Sequence, residues 1–136
     1  MSDWVLDASA LLALLNREPG EERVADALAA GAIISAVNLS EVVAKLAEIG
    51  MPQAEIREAV EPLGLGVVDF DAEGAFTAGL LRPNTRAAGL SLGDRACLAL
   101  GKQRGVPVLT ADQSWGGLDL GSEVAITMNC LPDFVR

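Results

Sequence analysis

The feature that most constrains the fold is a change of pattern within the first fifteen residues. A short apolar run from Trp4 to Leu6 ends at Asp7, and apolar residues at helical spacing follow from Ala10 to Leu15. This change predicts a buried strand that passes directly into a helix, with a carboxylate at the strand's C-terminal end. Because ligands bind at that end of the strands in open α/β sheets, we expect a functional site beside Asp7.

The same alternation of short apolar runs and helical patterns continues along the chain. Further strands are predicted at residues 32–34, 66–70, 106–110 and 124–127, and helices at about residues 21–30, 36–49, 52–61, 72–81 and 91–104. The polar, turn-rich residues 82–89 predict a loop. Strands that alternate with helices indicate a parallel sheet covered on both faces. The predicted fold is therefore α/β: one three-layer α/β/α domain over residues 1–136, with a central parallel sheet of four to five strands.

Composition excludes several kinds of chemistry. The 136 residues include no histidine, which excludes His-activated nucleophiles and His-containing zinc sites. Cys97 and Cys130 have no zinc-type spacing, and Cys97 is expected to be a buried helix residue. With a net charge of −9, the chain should bind nucleic acid only with the help of metal ions and a local basic rim. A basic signal region and a long apolar run are both absent from the sequence, so the cytoplasm is the expected location.

Four acidic residues are candidates for one site, although each also has a structural explanation. Asp7 suits the N-cap of the helix that follows it. Ser91 and Asp94 fit a capping box, and Asp112 follows a strand where a turn can begin. Glu41 fits an ion pair with Lys45 on a solvated helix face.

The predicted arrangement favours a shared role for these acids. Asp7 and Asp112 end strands that a parallel sheet would align, while Glu41 and Asp94 begin helices that leave from the same edge. Clustered carboxylates repel one another unless cations intervene, and oxygen-only ligands select Mg²⁺ or Mn²⁺. Such ions can activate water for cleavage of a phosphodiester bond. Two hydroxyl-bearing residues, Ser9 and Thr110, lie close to these acids in the sequence and are expected to support them.

Other acids and other functions remain open at this stage. Asp69 and Asp71 follow the third predicted strand and compete for the same cleft, although Asp71 also suits an N-cap. A phosphoacceptor signalling domain would use Asp69 but usually needs a lysine after the last strand, and residues 124–136 contain none. A haloacid-dehalogenase-like phosphatase would need Asp-x-Asp at the first strand, where this chain has Asp7 and Ser9. A binding module without catalysis is a third alternative.

Four segments carry a resemblance to a known family: VLDASA (5–10), SAVNLSEV (35–42), LSLGDRACLAL (90–100) and LTAD (109–112). Together they resemble PIN-domain ribonucleases of the VapC type, the toxin half of a bacterial toxin–antitoxin pair. The resemblance covers nearly the whole chain in order. One departure is Gln113, where such sequences often carry a basic residue, and residues 128–136 match no pattern of the family.

The resemblance implies a fold, an activity and partners. It implies a PIN-like fold and Mg²⁺-dependent endoribonuclease activity, with Mn²⁺ able to substitute. It also implies a homodimer, or a larger assembly with a cognate antitoxin that docks beside the cleft. The implied catalytic residues are Asp7, Glu41, Asp94 and Asp112; of these, Asp7, Asp94 and Asp112 are the expected metal ligands, with Ser9 and Thr110 in support. Candidates for the basic rim are Arg17, Arg82, Arg86 and Arg95.

Overall fold

The computed structural model describes residues 4–113, residue 115 and the backbone of residues 126–128. Its strands are β1 (Val5–Leu6), β2 (Ile33–Ser35), β3 (Gly66–Val68), β4 (Val108–Thr110) and β5 (Ile126–Met128). Its helices are α1 (Ala8–Leu15), α2 (Glu21–Ala29), α3 (Ala36–Glu48), α4 (Gln53–Val60), α5 (Ala72–Leu80), α6 (Arg82–Thr85) and α7 (Leu92–Arg104), with a 3₁₀ turn at Glu61–Leu63. Residues 124–125 of the last predicted strand, Cys130 and the tail after Met128 lie outside the described residues.

The five strands form one sheet in the order β3-β2-β1-β4-β5, and every pair is parallel. The first strand lies at the centre, where Leu6 pairs with Ile34 on one side and Leu109 on the other. The prediction of a parallel sheet of four to five strands is confirmed. Because the three central strands are in this register, their carboxyl ends meet at one edge.

Alternate residues of the central strands face opposite layers of helices. On one face, Val5, Ile33 and Val108 pack in a core with residues of α5 and α7. On the other face, Leu6, Ile34 and Leu109 pack against residues of α1, α2, α3 and α4. Both faces of the sheet are therefore covered, as strands made almost only of apolar residues require. This arrangement is the predicted three-layer α/β/α fold.

Side-chain caps start four helices directly after a strand or a short loop. Asp7 accepts a hydrogen bond from the backbone N–H of the third residue of α1, and Ser35 accepts one from the second residue of α3. Asp71 caps α5 in the same way, and Ser91 forms a complete capping box with Asp94 at the start of α7. These caps satisfy backbone donors that a helix end leaves unpaired. The caps that the sequence suggested are therefore all present.

The prediction of a loop over residues 82–89 is partly wrong. Residues Arg82–Thr85 form the short helix α6, and Thr85 is fully buried. The Thr85 hydroxyl donates a hydrogen bond of 2.8 Å to the carbonyl oxygen of Leu81, a residue of the core. Tertiary burial of one threonine thus overrides the turn signals of Pro83 and Asn84. None of the helices in the described part of the chain is long and apolar enough to cross a membrane.

Candidate active site

Asp7 is the most deeply buried acid of the site, with 3% of its surface exposed. Its carboxylate accepts hydrogen bonds from the backbone N–H of Ala10 at 2.8 Å, from the Ser9 hydroxyl at 2.8 and 2.9 Å, and from the Thr110 hydroxyl. Ser9 lies on α1 and Thr110 on β4, so donors from two different elements hold one carboxylate. The side chain is fixed in place at the end of the central strand.

The two hydroxyls also connect Asp7 to the backbone that follows β4. The oxygen of Ser9 accepts a hydrogen bond from the N–H of Ala111 at 3.0 Å, and the oxygen of Thr110 accepts one from the N–H of Asp112 at 3.0 Å. Each hydroxyl thus donates to the carboxylate and accepts from the chain. Asp112, a predicted ligand, is joined to this network through its backbone at the end of β4.

Burial raises the pKa of Asp7 to about 6, because the charged form is removed from water. The hydrogen bonds from Thr110, Ala10 and Ser9 oppose this increase, whereas the negative charge of Asp94 adds to it. The influence of Asp94 means that the acids at residues 7 and 94 lie within electrostatic reach of each other. A bound cation would stabilise the charged form of this carboxylate.

Glu41 is held by a different set of contacts. Its Oε1 accepts a hydrogen bond of 2.8 Å from the side-chain amide of Asn38, and that amide also donates at 2.9 Å to the carbonyl oxygen of Gly93. Glu41 is half-buried, and its carboxylate lies directly against Gly93 at the start of α7. The expected partner Lys45 is exposed and is not the residue that holds Glu41. The interpretation of a solvated ion pair is therefore wrong.

Asp94 adds a third carboxylate, from α7. It accepts a hydrogen bond of 3.0 Å from the backbone N–H of Ser91, and its own N–H donates to the Ser91 hydroxyl at 3.2 Å. One buried residue senses all three acids. Burial raises the pKa of the Cys97 thiol well above its usual value, and the charges of Asp7, Asp94 and Glu41 raise it further. The negative charges of three acids that are far apart in the sequence therefore all act on one residue of α7.

The arginines proposed for a basic rim differ in their surroundings. Arg82 and Arg86 are exposed. Arg17 is 86% exposed and lies 3.8 Å from Glu21. Arg95 is half-buried and donates a hydrogen bond of 3.1 Å to the carbonyl oxygen of Ala78, which ties α7 to α5. Arg95 therefore has a packing role that the sequence did not suggest.

The donor chemistry of the site fits a hard divalent cation. The side chains offer oxygen atoms and no imidazole, and Oδ1 of the buried Asn38 has no hydrogen-bond partner among the described residues. Among those same residues, no three acidic or cysteine side chains are gathered closely enough to form a complete metal-binding group. A Mg²⁺ ion held here would therefore take one or two of these carboxylates and keep several waters.

The sequence did not reveal two residues of the site, Asn38 and Gly93. Asn38 shares a polar arc of α3 with Glu41 and Lys45, a pattern typical of a solvated face, but it is 1% exposed and contacts α7. An asparagine three residues before a glutamate on a predicted helix is a usable signal in the sequence, because the two side chains lie on one face of the helix. The contact with Gly93 comes from a segment 55 residues away, and only the fold reveals it.

Comparison with known proteins gives one family and several related folds. The model of the family described as PIN domain matches residues 4–119. A search among curated proteins finds no match. Among solved structures, the chain is similar to one in the crystal structure of DNA-bound VapBC from Salmonella typhimurium, with a TM-score of 0.74 and 19% sequence identity, covering 96% of this chain and 100% of that one.

Two further structures have the same fold. A chain in the crystal structure of VapBC2 from Rickettsia felis, bound to a DNA fragment from the promoter, has a TM-score of 0.69 and 16% identity, and the match covers 92% of this chain and 97% of that one. A chain of FitAcB from Neisseria gonorrhoeae has a TM-score of 0.64 and 21% identity, and the match covers 93% and 97% of the two chains. At these identities the likeness shows a common fold.

Proposed function

Because the chain belongs to the PIN domain family, as the match over residues 4–119 shows, we propose that it is a metal-dependent endoribonuclease and the toxin of a toxin–antitoxin pair. The observation that carries the proposal is the Asp7 carboxylate, which is buried at the carboxyl edge of the sheet and held by Ser9 and Thr110. The Glu41 carboxylate lies against Gly93, the residue before Asp94. In a chain with a net charge of −9, acids at this edge suit chemistry that requires a divalent cation more than tight binding of phosphates.

Asp7 and Asp94 are the proposed principal metal ligands, and Asp112 is proposed to contribute from the end of β4. When bound, Mg²⁺ or Mn²⁺ would supply a water of lowered pKa and would neutralise charge on the scissile phosphate. The remaining steps belong to the protein. Ser9 and Thr110 hold the Asp7 carboxylate in one orientation, and Glu41 is proposed to accept the proton of the attacking water.

Membership of the PIN family decides against two of the alternatives considered from the sequence. The phosphoacceptor and phosphatase alternatives each required a different family and a different acid pattern. The binding module without catalysis has the same fold, so activity has to distinguish it. Two of the similar structures contain VapBC and FitAcB, which supports the proposal of a toxin. What those proteins bind is a property of theirs.

Incubation with total cellular RNA tests the proposed activity. The wild-type chain with Mg²⁺ or Mn²⁺ should produce discrete cleavage ends, which sequencing can map, and a chelator should abolish them. Asp7→Asn should cleave at least about 100-fold more slowly, because a metal ligand contributes several kcal/mol to the transition state. Asp71→Asn changes an acid at another N-cap and is the matched control. Identical RNA profiles for wild type and Asp7→Asn would leave the binding module as the better interpretation.

An antitoxin is the proposed protein partner, and an apolar groove along α3 supports this. The groove has a volume of about 640 Å³ and lies between α3, α4 and β3. Leu39, Val43, Ile56 and Val67 contribute to its lining, and 37% of Val43 and 48% of Val67 are exposed. Leu39 and Val43 are each two residues from Glu41, so the groove lies on the other face of the helix that carries this acid.

Co-purification of this chain with any small DNA-binding protein encoded beside it tests the partner. We expect Val67→Glu to weaken the complex, because it places a charge in the groove where an apolar segment would bind. Phe76→Glu is the control, since Phe76 is 70% exposed on α5, outside the lining of the groove. Retention of the complex by Val67→Glu would contradict this placement. The proposed homodimer is tested separately, by the mass of the isolated chain in sedimentation.

A further inference from the structure

Asn38 is a buried residue that takes no part in the proposed metal binding or proton transfer. It lies on α3, is 1% exposed, and donates both to the Glu41 carboxylate and to the carbonyl oxygen of Gly93 on α7. Because both neighbours of the amide nitrogen are acceptors, the orientation of the amide is fixed. One side chain thus connects the acid of α3 to the helix that carries Asp94.

Gly93 completes this contact from the other side. A Cβ atom built on Gly93 would lie 2.5 Å from both Cδ and Oε1 of Glu41, and closer still to Oε2. Real Cβ atoms do not approach other atoms so closely, so the Glu41 carboxylate occupies its place only because residue 93 has no side chain. The glycine is therefore explained by the neighbouring carboxylate, since an ordinary position in the first turn of a helix favours other residues.

We propose that Asn38 and Gly93 are positioning residues, which together hold the Glu41 carboxylate at the site. This inference rests on the proposed nuclease function and adds two residues to it. Asn38 fixes the direction of the carboxylate by a hydrogen bond, and Gly93 provides the space that the carboxylate fills. The same two residues join α3 to α7, so the relative placement of Glu41 and Asp94 depends on them.

The structure predicts different consequences for stability and for function when Gly93 is changed. The clash in Gly93→Ala involves the free end of a flexible glutamate, which can rotate away at little cost. Alanine is also the better helix former, so the variant should melt at or above the wild-type temperature. The displaced carboxylate, however, should lower kcat by about 10- to 100-fold, which is the usual effect of removing a residue that orients a metal site.

Cleavage of a defined RNA oligonucleotide by purified wild type and variants tests the proposal. Gly93→Ala, Asn38→Ala and Glu41→Gln should each lower kcat with little change in KM, and Gly93→Ala combined with Glu41→Gln should be no slower than the slower single variant. Gly79→Ala is the matched control, because Gly79 is an exposed helix residue whose added Cβ meets nothing within 4 Å. Mn²⁺ binding, followed by electron paramagnetic resonance, should change little in any of these variants, because the proposed ligands Asp7, Asp94 and Asp112 are retained.

The possible results separate this proposal from the function on which it rests. If wild type cleaves RNA and Gly93→Ala has the same kcat as Gly79→Ala, the positioning role is refuted while the nuclease remains. If the loss of kcat in the combined variant equals the product of the losses in Gly93→Ala and Glu41→Gln, Gly93 acts through another contact. The proposal then also fails. If wild type itself shows no metal-dependent cleavage, the proposed function fails, and the role of Asn38 and Gly93 fails with it.

Discussion

The two sides of the acidic site are held in different ways. At the end of β1, Asp7 is buried and accepts hydrogen bonds from Ser9, Ala10 and Thr110. At the start of α3, Glu41 is half-buried and held by one amide and by its fit against Gly93. We call these the strand side and the helix side of the site.

The difference shows how one fold can combine a fixed group with an adjustable one. The strand side depends on a register of three parallel strands, and its donors come from the backbone and from hydroxyls that can hardly move. The helix side depends on one contact between α3 and α7, and the glutamate can rotate. A fixed ligand suits a metal ion, whereas an adjustable carboxylate suits transfer of a proton.

The largest expected difference between the two sides is in the pH dependence of stability. The pKa of Asp7 is raised from 3.8 to about 6 by folding, so its contribution to stability is fully present below pH 3.8 and is lost as the pH rises through about 6. The lost contribution amounts to about 3 kcal/mol. In metal-free buffer, Asp7→Asn should therefore gain about 3 kcal/mol relative to wild type between about pH 4 and about pH 8.

Denaturant unfolding at several pH values measures this gain. Asp71→Asn is the control for an acid-to-amide change at an N-cap. Equal pH profiles for the two variants would show that the burial of Asp7 is not the cause. Addition of Mg²⁺ at the higher pH should raise the stability of wild type more than that of Asp7→Asn, if Asp7 is a ligand.

A smaller effect is expected from removal of the Thr110 hydroxyl. Thr110→Val should lower the free energy of unfolding by about 2 kcal/mol, because a buried carboxylate loses a donor and the N–H of Asp112 loses its acceptor. Thr85→Val removes an equally buried hydroxyl that bonds only to carbonyl oxygens, and should cost about 1 kcal/mol. Equal losses in urea denaturation would mean that the charge of Asp7 contributes nothing to the difference.

The smallest change in stability is expected on the helix side. Glu41→Gln should alter the free energy of unfolding by less than about 0.5 kcal/mol, since the new amide oxygen can still accept from Asn38. The same denaturation experiment measures it. A loss as large as that of Thr110→Val would remove the distinction between a rigid and an adjustable side of the site.

Much of the fold could be predicted from the sequence because its signals are local. The change from a strand to a helix at Asp7, and the caps at Ser35, Asp71 and Ser91, depend only on residues close in the chain, and the structure has all of them. The meeting of distant acids followed from one further rule, that parallel strands align their carboxyl ends. The bounds of the predicted strands and helices shifted by one or two residues at most ends.

The remaining features depend on tertiary contacts that no local pattern records. A helical wheel assigns Asn38 to a polar face, but α7 covers that face and buries the residue. Likewise, the turn signals of residues 82–89 were correct for an exposed segment, but burial of Thr85 makes its first part a helix. In both cases the polar side chain forms a hydrogen bond in the interior, which offsets the free-energy cost of its burial.

Cys97 has a consequence for the way this molecule can be observed. It is fully buried on α7, and burial together with three nearby negative charges keeps its thiol protonated. Because alkylating reagents attack the thiolate, Cys97 should resist them in the native protein. Modification of Cys97 therefore requires α7 to separate from the sheet. The modification rate measures how often the helix that carries Asp94 opens. The acids of the site thus also protect the thiol of Cys97, so the rate of its chemical labelling reports whether the site is intact.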